Sequence, residues 1–386
     1  MEFITNGIYI IAVFAFVLYV SEWLVKKPFF NKFGIALMVI IIAAIIANIG
    51  LIPKSSNAVY DSIFNYIAPA ALFLLLLDVN FGQLKKVGFP VLFAFLLGSA
   101  GTVLGIFVAT LIIKDNASFD GVYNALAGMF AGTYTGGSIN FNAVALHYKV
   151  VEKGTIYTNA VAVDNVITTI WFFLTIAIPV GLQKLLPRFQ SVSKEPSTNK
   201  SMNKLPNDES EVITITSLSL LVGISCFALF FSDYLANFFT ERGVTIPSII
   251  ILTTLALILA QVPYISKLRG NMLIGSWAIY LFLAVVGAYC DFEALGQSGS
   301  LSIALLIFVL VTVLIHGLFI FGIGIFTKYD WQILAIASQA NVGGATTALA
   351  LAKNFNRNEL ILPSIIIGSI GNALGTYIGF LVAGYI

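Results

Sequence analysis

Two apolar stretches of this chain are interrupted at the same point in the same way. One runs Ala131-Gly-Thr-Tyr-Thr-Gly136-Gly137-Ser-Ile-Asn-Phe-Asn-Ala-Val-Ala145, the other Ser338-Gln-Ala-Asn-Val-Gly343-Gly344-Ala-Thr-Thr-Ala-Leu-Ala-Leu-Ala352. Each sets a Gly-Gly pair and a cluster of small hydroxyl and amide side chains inside hydrophobic sequence. Unsatisfied backbone groups are too costly to face lipid. A helix broken at membrane depth must therefore be buried in protein or line a cavity. A matched pair of such breaks, one in each half of a chain, points to the substrate site of a transporter.

The rest of the chain supplies the membrane. Of 386 residues, 59% are hydrophobic and 10% charged, against about 25% charged in a soluble domain. The expected class is an all-α polytopic membrane protein. A net charge of +2 gives no reason to expect nucleic-acid binding. Cys226 and Cys290 stand in apolar surroundings and read as small buried hydrophobes. No Cys/His cluster suggests a metal site. The first apolar stretch starts almost at Met1 with no basic leader and no small-residue cleavage site before Glu22, so it reads as a retained span.

Apolar runs of spanning length fall at residues 8–24, 34–52, 63–77, 89–113 and 155–183, then at 212–232, 246–264, 271–290, 300–327 and 359–384. A polar stretch rich in Ser, Pro, Asn and Lys separates the two sets and reads as a linker. The expected organisation is a first repeat over 1–184, a cytoplasmic linker over 185–211 and a second repeat over 212–386. A shift of 207 residues lays Gly136-Gly137 on Gly343-Gly344, Asn165 on Asn372 and Thr169 on Thr376. Asp164 falls on Gly371, so the carboxylate breaks the symmetry.

The distribution of Lys and Arg chooses between topologies. With the N-terminus outside and each Gly-Gly segment entering and leaving on one side, fifteen Lys and Arg face the cytoplasm and five face out. If both broken segments cross fully, the count is ten against ten. The positive-inside rule favours the first arrangement. It has two inverted repeats of about five transmembrane helices, each with one Gly-Gly re-entrant or broken helix, and both termini outside the plasma membrane.

Near the first break the candidate binding groups are Thr133, Thr135, Gly136, Gly137, Ser138 and Asn140. Near the second they are Asn341, Gly343, Gly344, Thr346 and Thr347. Glycine opens backbone conformations closed to other residues, and unwound tips expose N–H and C=O groups as ligands. Asn165 and Asn372 are expected to approach each other from the two halves. Asp164 lies well inside a span, where a bare carboxylate is costly and functional by default. It reads as a Na⁺ ligand with Asn165 and Thr168, or as a proton carrier. The alternative for each feature is structural: small residues that let helices pack closely, and a buried Asp hydrogen-bonded to a hairpin. His316, mid-span, reads equally as a proton relay or a packing residue. Asp78 and Asp291 close their spans and read mainly as wet boundaries.

Span order, length and the motifs Gly136-Gly137-Ser138 and Gly343-Gly344-Ala345-Thr346 resemble the YjcL-like family of uncharacterised bacterial multipass proteins. More distantly they resemble the glutamate:sodium symporters. That resemblance implies inverted repeats and an elevator-type carrier. The Gly-Gly-His-Gly-Thr form of the glutamate carriers is absent here. The leading expectation is a secondary active transporter, sodium-coupled, for a small organic anion or amino-acid-like solute. Its coupling ion is Na⁺ or H⁺, its partners are the solute and the lipid bilayer, homodimerisation is open, and it has no organic cofactor. A channel or holin-like export protein is the alternative. An enzyme is not expected, because neither His147 nor His316 has an acidic residue three or four positions away.

Overall fold

The computed structural model describes residues 2–30, 34–82, 87–114, 117–186, 213–244, 246–290, 292, 298–327 and 329–386. Lys32, Lys85, Lys86, Asp291, Lys328 and the linker from residue 187 to 211 lie outside the described residues.

The first half contains α1 (Gly7–Val25), α2 (Gly34–Asn48), α3 (Ala58–Leu76), α4 (Phe89–Ile112), α5 (Tyr123–Gly136), α6 (Ser138–His147) and α7 (Gly154–Leu185). The second contains α8 (Ile215–Thr240), α9 (Ser248–Ala260), α10 (Asn271–Tyr289), α11 (Gly299–Thr327), α12 (Trp331–Val342), α13 (Gly344–Asn354) and α14 (Ile361–Tyr385). Among the described residues, eight helices are long and apolar enough to cross a membrane. α2 and α9 are shorter than the runs at 34–52 and 246–264. Gly50 turns the chain at φ 81 after α2, and Pro247 and Pro263 bracket α9. α3 starts before its apolar run, because Asn57 caps it by accepting from the Val59 and Tyr60 N–H groups. It carries a π turn over Ile63–Ile67.

The helices pack as two bundles, α1–α3 with α8–α10 and α4–α7 with α11–α14. The packing pairs recur on exchanging the halves. α1 on α2 matches α8 on α9, α2 on α10 matches α9 on α3, and α5 on α14 matches α12 on α7. α3 on α10, α4 on α11 and α5 on α12 are their own counterparts. Two amide clamps repeat this exchange at atomic scale. Asn48, ending α2, donates to Cys290 O at 2.8 Å and accepts from Phe292 N at 3.3 Å. Gln261, just past α9, donates to Val79 O and accepts from Phe81 N, both at 2.9 Å. Each side chain thus completes the backbone of a helix end in the other half, where a bare peptide group would be costly.

Close approach between bundle helices rests on glycine. Gly128, Gly132 and Gly136 on α5 face Gly379, Gly375 and Gly371 on α14, stepping by one turn in opposite directions along the two sequences. A Cβ on Gly136 would sit 1.8 Å from the Gly371 carbonyl carbon. A larger residue on either side would drive the helices apart.

Candidate functional site

Both Gly-Gly pairs break their helices with the same backbone device. The second glycine of each pair takes positive φ, 111° at Gly137 and 77° at Gly344. L-residues rarely adopt that conformation. α5 and α6 therefore fold back on each other, as do α12 and α13. Each fold is clasped where it begins and ends. Lys153, after α6, pairs with Asp120, before α5. Arg357, after α13, pairs with Asp330, before α12, at 2.8 Å.

The two breaks meet. A Cβ built on Gly344 points at Gly136 O, 3.8 Å away. Asn341 donates to Thr135 O at 3.2 Å and to Ser99 Oγ at 2.9 Å, so the second broken helix is bonded to the end of the first. Asn140 is buried against α14. It donates to Gly371 O at 3.2 Å and accepts from Thr376 Oγ1 at 2.8 Å. Thr133 and Thr135 are buried. The Thr135 hydroxyl donates to Ala131 O at 2.8 Å and that of Thr347 to Gly344 O at 3.1 Å. Ser138 and Thr346 are exposed in the first turns of α6 and α13.

The two asparagines expected to face each other have different surroundings. Asn372 Oδ1 lies 3.6 Å from the Cβ position of Gly137. Asn165 donates to Val161 O of its own helix at 2.8 Å. Gly343 is hemmed in by Gln339 and Thr347, and Gly136 by the α14 backbone.

Asp164 Oδ1, Tyr134 Oη and Thr168 Oγ1 are buried and make no hydrogen bond of good length and angle, although the two hydroxyls stand within reach of the carboxylate. All three belong to one cluster, with the Tyr134 and Thr168 side chains beside the carboxylate. Tyr157, two turns earlier on α7, gives its hydroxyl hydrogen to Asn142 Oδ1.

His316 joins the two broken helices through polar contacts that its sequence position does not reveal. Its Nδ1 lies 2.9 Å from Gly98 O and 3.1 Å from Thr102 Oγ1, and its Nε2 lies 2.8 Å from Ser338 Oγ. A carbonyl only accepts, so Nδ1 carries the proton and Nε2 accepts from Ser338. Ser338 accepts in turn from Trp171 Nε1 at 3.0 Å. Thr102 donates to Tyr134 O at 2.7 Å. The ring thus links the first broken helix, through Thr102, to the second, through Ser338. Asp78 borders a small polar cavity with Asn80, Ser266 and Asn271, away from the breaks.

Sequence reasoning left Ser99, Thr102, Thr376 and Ser338 out of the site and placed Tyr134 at the first tip without its link to Asp164. The four-residue spacing of glycines on α5 and α14 was a readable packing signal. The hydroxyl partners carried none, because their roles depend on which helices meet.

A family model described as a protein of unknown function, DUF819, matches residues 8–386. The chain is also 29% identical over 351 residues to the uncharacterized membrane protein YjcL of Bacillus subtilis (strain 168), covering 87% of this chain and 86% of that protein.

Proposed function

The chain belongs to the DUF819 family, and from that premise we propose that this multipass membrane protein is a secondary active transporter. In this reading it is sodium-coupled and moves a small organic anion or amino-acid-like solute by an elevator motion. The observation that carries it is the meeting of two broken helices, with Gly344 opposite Gly136 O and Asn341 bonded to Thr135 O. The first turns of α6 and α13 start at this meeting point, where free N–H groups and the positive ends of helix dipoles favour an anion. Ser138, Thr346 and Asn372 add side-chain donors beside them.

The broken segments act as re-entrant hairpins in this reading. The ion pairs Lys153–Asp120 and Arg357–Asp330, each joining the two ends of one segment, support it. The exchange of packing partners between halves and the paired amide clamps support inverted repeats. The bundle of α4–α7 and α11–α14 is the moving body, and α1–α3 with α8–α10 the fixed one. Both termini face outward from the plasma membrane.

Counterflow in proteoliposomes tests the reading. Vesicles preloaded with one candidate solute should accumulate the labelled form against its gradient, saturably and with Na⁺. Rapid, non-saturable equilibration would show a channel instead. Topology has its own measurement, in a background without Cys226 and Cys290. Single cysteines at Lys54, Lys114 and Arg242 should react with an impermeant maleimide in whole cells. One at Lys267 should not, and its labelling from outside would overturn the inverted arrangement.

A further inference from the structure

We propose that Asp164, Tyr134 and Thr168 form a binding site for a monovalent alkali cation that ties α7 to the first broken helix. The proposal deepens the transport reading, because it names the groups that hold the coupling ion. Asp164 and Thr168 stand one turn apart on α7 and so share a face. Tyr134 comes from α5, three residues before the positive-φ Gly137. One oxygen on each of the three side chains is buried without a well-formed hydrogen bond, and the two hydroxyls stand beside the carboxylate. Among the described residues Asp164 forms no ion pair.

A carboxylate in that position needs a compensating charge. The donor set is all oxygen, which suits a hard cation and not a transition metal. One carboxylate balances a single positive charge, whereas a divalent ion would leave a net charge buried. Hydroxyl hydrogens rotate freely, so Tyr134 and Thr168 can turn their oxygens toward the ion. A proton would neutralise Asp164 without needing either hydroxyl. Asn165, the sequence-based candidate for this role, gives its amide hydrogen to Val161 O.

The site reaches beyond its ligands. The Tyr134 ring stacks on Phe130, and its carbonyl accepts from Thr102, which contacts His316, which contacts Ser338 of the second broken helix. A cation held by Tyr134 thus fixes the end of α5 just before the break and bears on both hairpins.

Thermal unfolding of the purified full-length protein tests this without a known solute. NaCl, LiCl and KCl are each titrated against choline chloride at constant ionic strength. Wild type should show a saturable rise in Tm with at least one alkali cation, since a ligand of the folded state stabilises it. The midpoint should rise at least tenfold in Tyr134→Phe and in Thr168→Val, and the response should vanish in Asp164→Asn. Thr169→Val, one position along and bonded to Asn165 O, should keep the wild-type midpoint. Should one variant fail to fold, the other hydroxyl deletion reads the same site. Wild-type midpoints in both hydroxyl deletions, or no cation response in wild type, would overturn the proposal. Solute counterflow driven by a pH gradient in a cation-blind protein would remove this site and leave the transport reading standing. A cation response lost in the variants, in a protein that catalyses no counterflow, would keep the site and remove the transport reading.

Discussion

The two broken segments share a backbone device and differ in how they are held. The first is anchored at its tip. Gly136 lies against Gly371, Asn140 bonds α14, and the clasp at its base is solvated, with the Lys153 side chain 33% and the Asp120 side chain 70% exposed. The second is held near its tip by Asn341 and by the approach of Gly368 to Ala345, and its base is clasped far more deeply. Arg357 and Asp330 are 15% and 7% exposed, and Arg357 also holds Gln332 Oε1 at 2.8 Å and pairs with Glu359. Burial opposes the guanidinium charge, but the hydrogen bonds and charges of Asp330 and Glu359 more than offset it, so Arg357 titrates above its ordinary range. Near the tip, a Cβ on Gly344 meets nothing closer than 3.8 Å. The two segments thus differ most in how deeply the clasp at the base is buried.

Substitutions along the two segments should separate these anchors. The largest effect is expected from Gly136→Ala, whose new methyl would overlap the α14 backbone. The cost should exceed about 4 kcal/mol, the range of severe core lesions, and size-exclusion chromatography should show no monodisperse protein. Arg357→Ala comes next. It leaves the Asp330 carboxylate buried without its partner, for a loss of about 3–5 kcal/mol and a large fall in Tm. Gly344→Ala should fold, at a cost of about 1–2 kcal/mol for the left-handed backbone alone. Lys153→Ala should cost less than about 1 kcal/mol, because its pair is exposed to solvent screening. Equal losses for Arg357→Ala and Lys153→Ala, or a folded Gly136→Ala beside an unfolded Gly344→Ala, would erase the contrast.

Much of the architecture was legible in the residues themselves. Apolar run length located most of the long helices to within two or three positions, though α8 continues eight residues past its run and α3 begins five residues before its own, and the Gly-Gly pairs marked both breaks. The features that escaped depend on partners far along the chain. Gly371 looks like any helix glycine until Gly136 is laid against it. Tyr134 reads as an aromatic near a tip until Asp164 packs beside it. Asn165 and Asn372 match in sequence, yet one satisfies its own helix and the other faces Gly137. Matching positions in the two halves do not imply matching surroundings, because the environment of each is set by neighbours that differ between the halves.

The amide clamps bear on how the chain is made. Asn48 reaches its partner carbonyl 242 residues later. At about 5–20 residues per second, Cys290 is synthesised roughly 10–50 s after Asn48. Until then α2 has inserted without its clamp. The reciprocal clamp from Gln261 leaves the end of α3 open for almost as long. Neither half can finish its own backbone bonding, so assembly in the bilayer is completed only once the second half has been inserted. Separately expressed halves would have to find each other before either became a stable unit, which makes the chain one cooperative object.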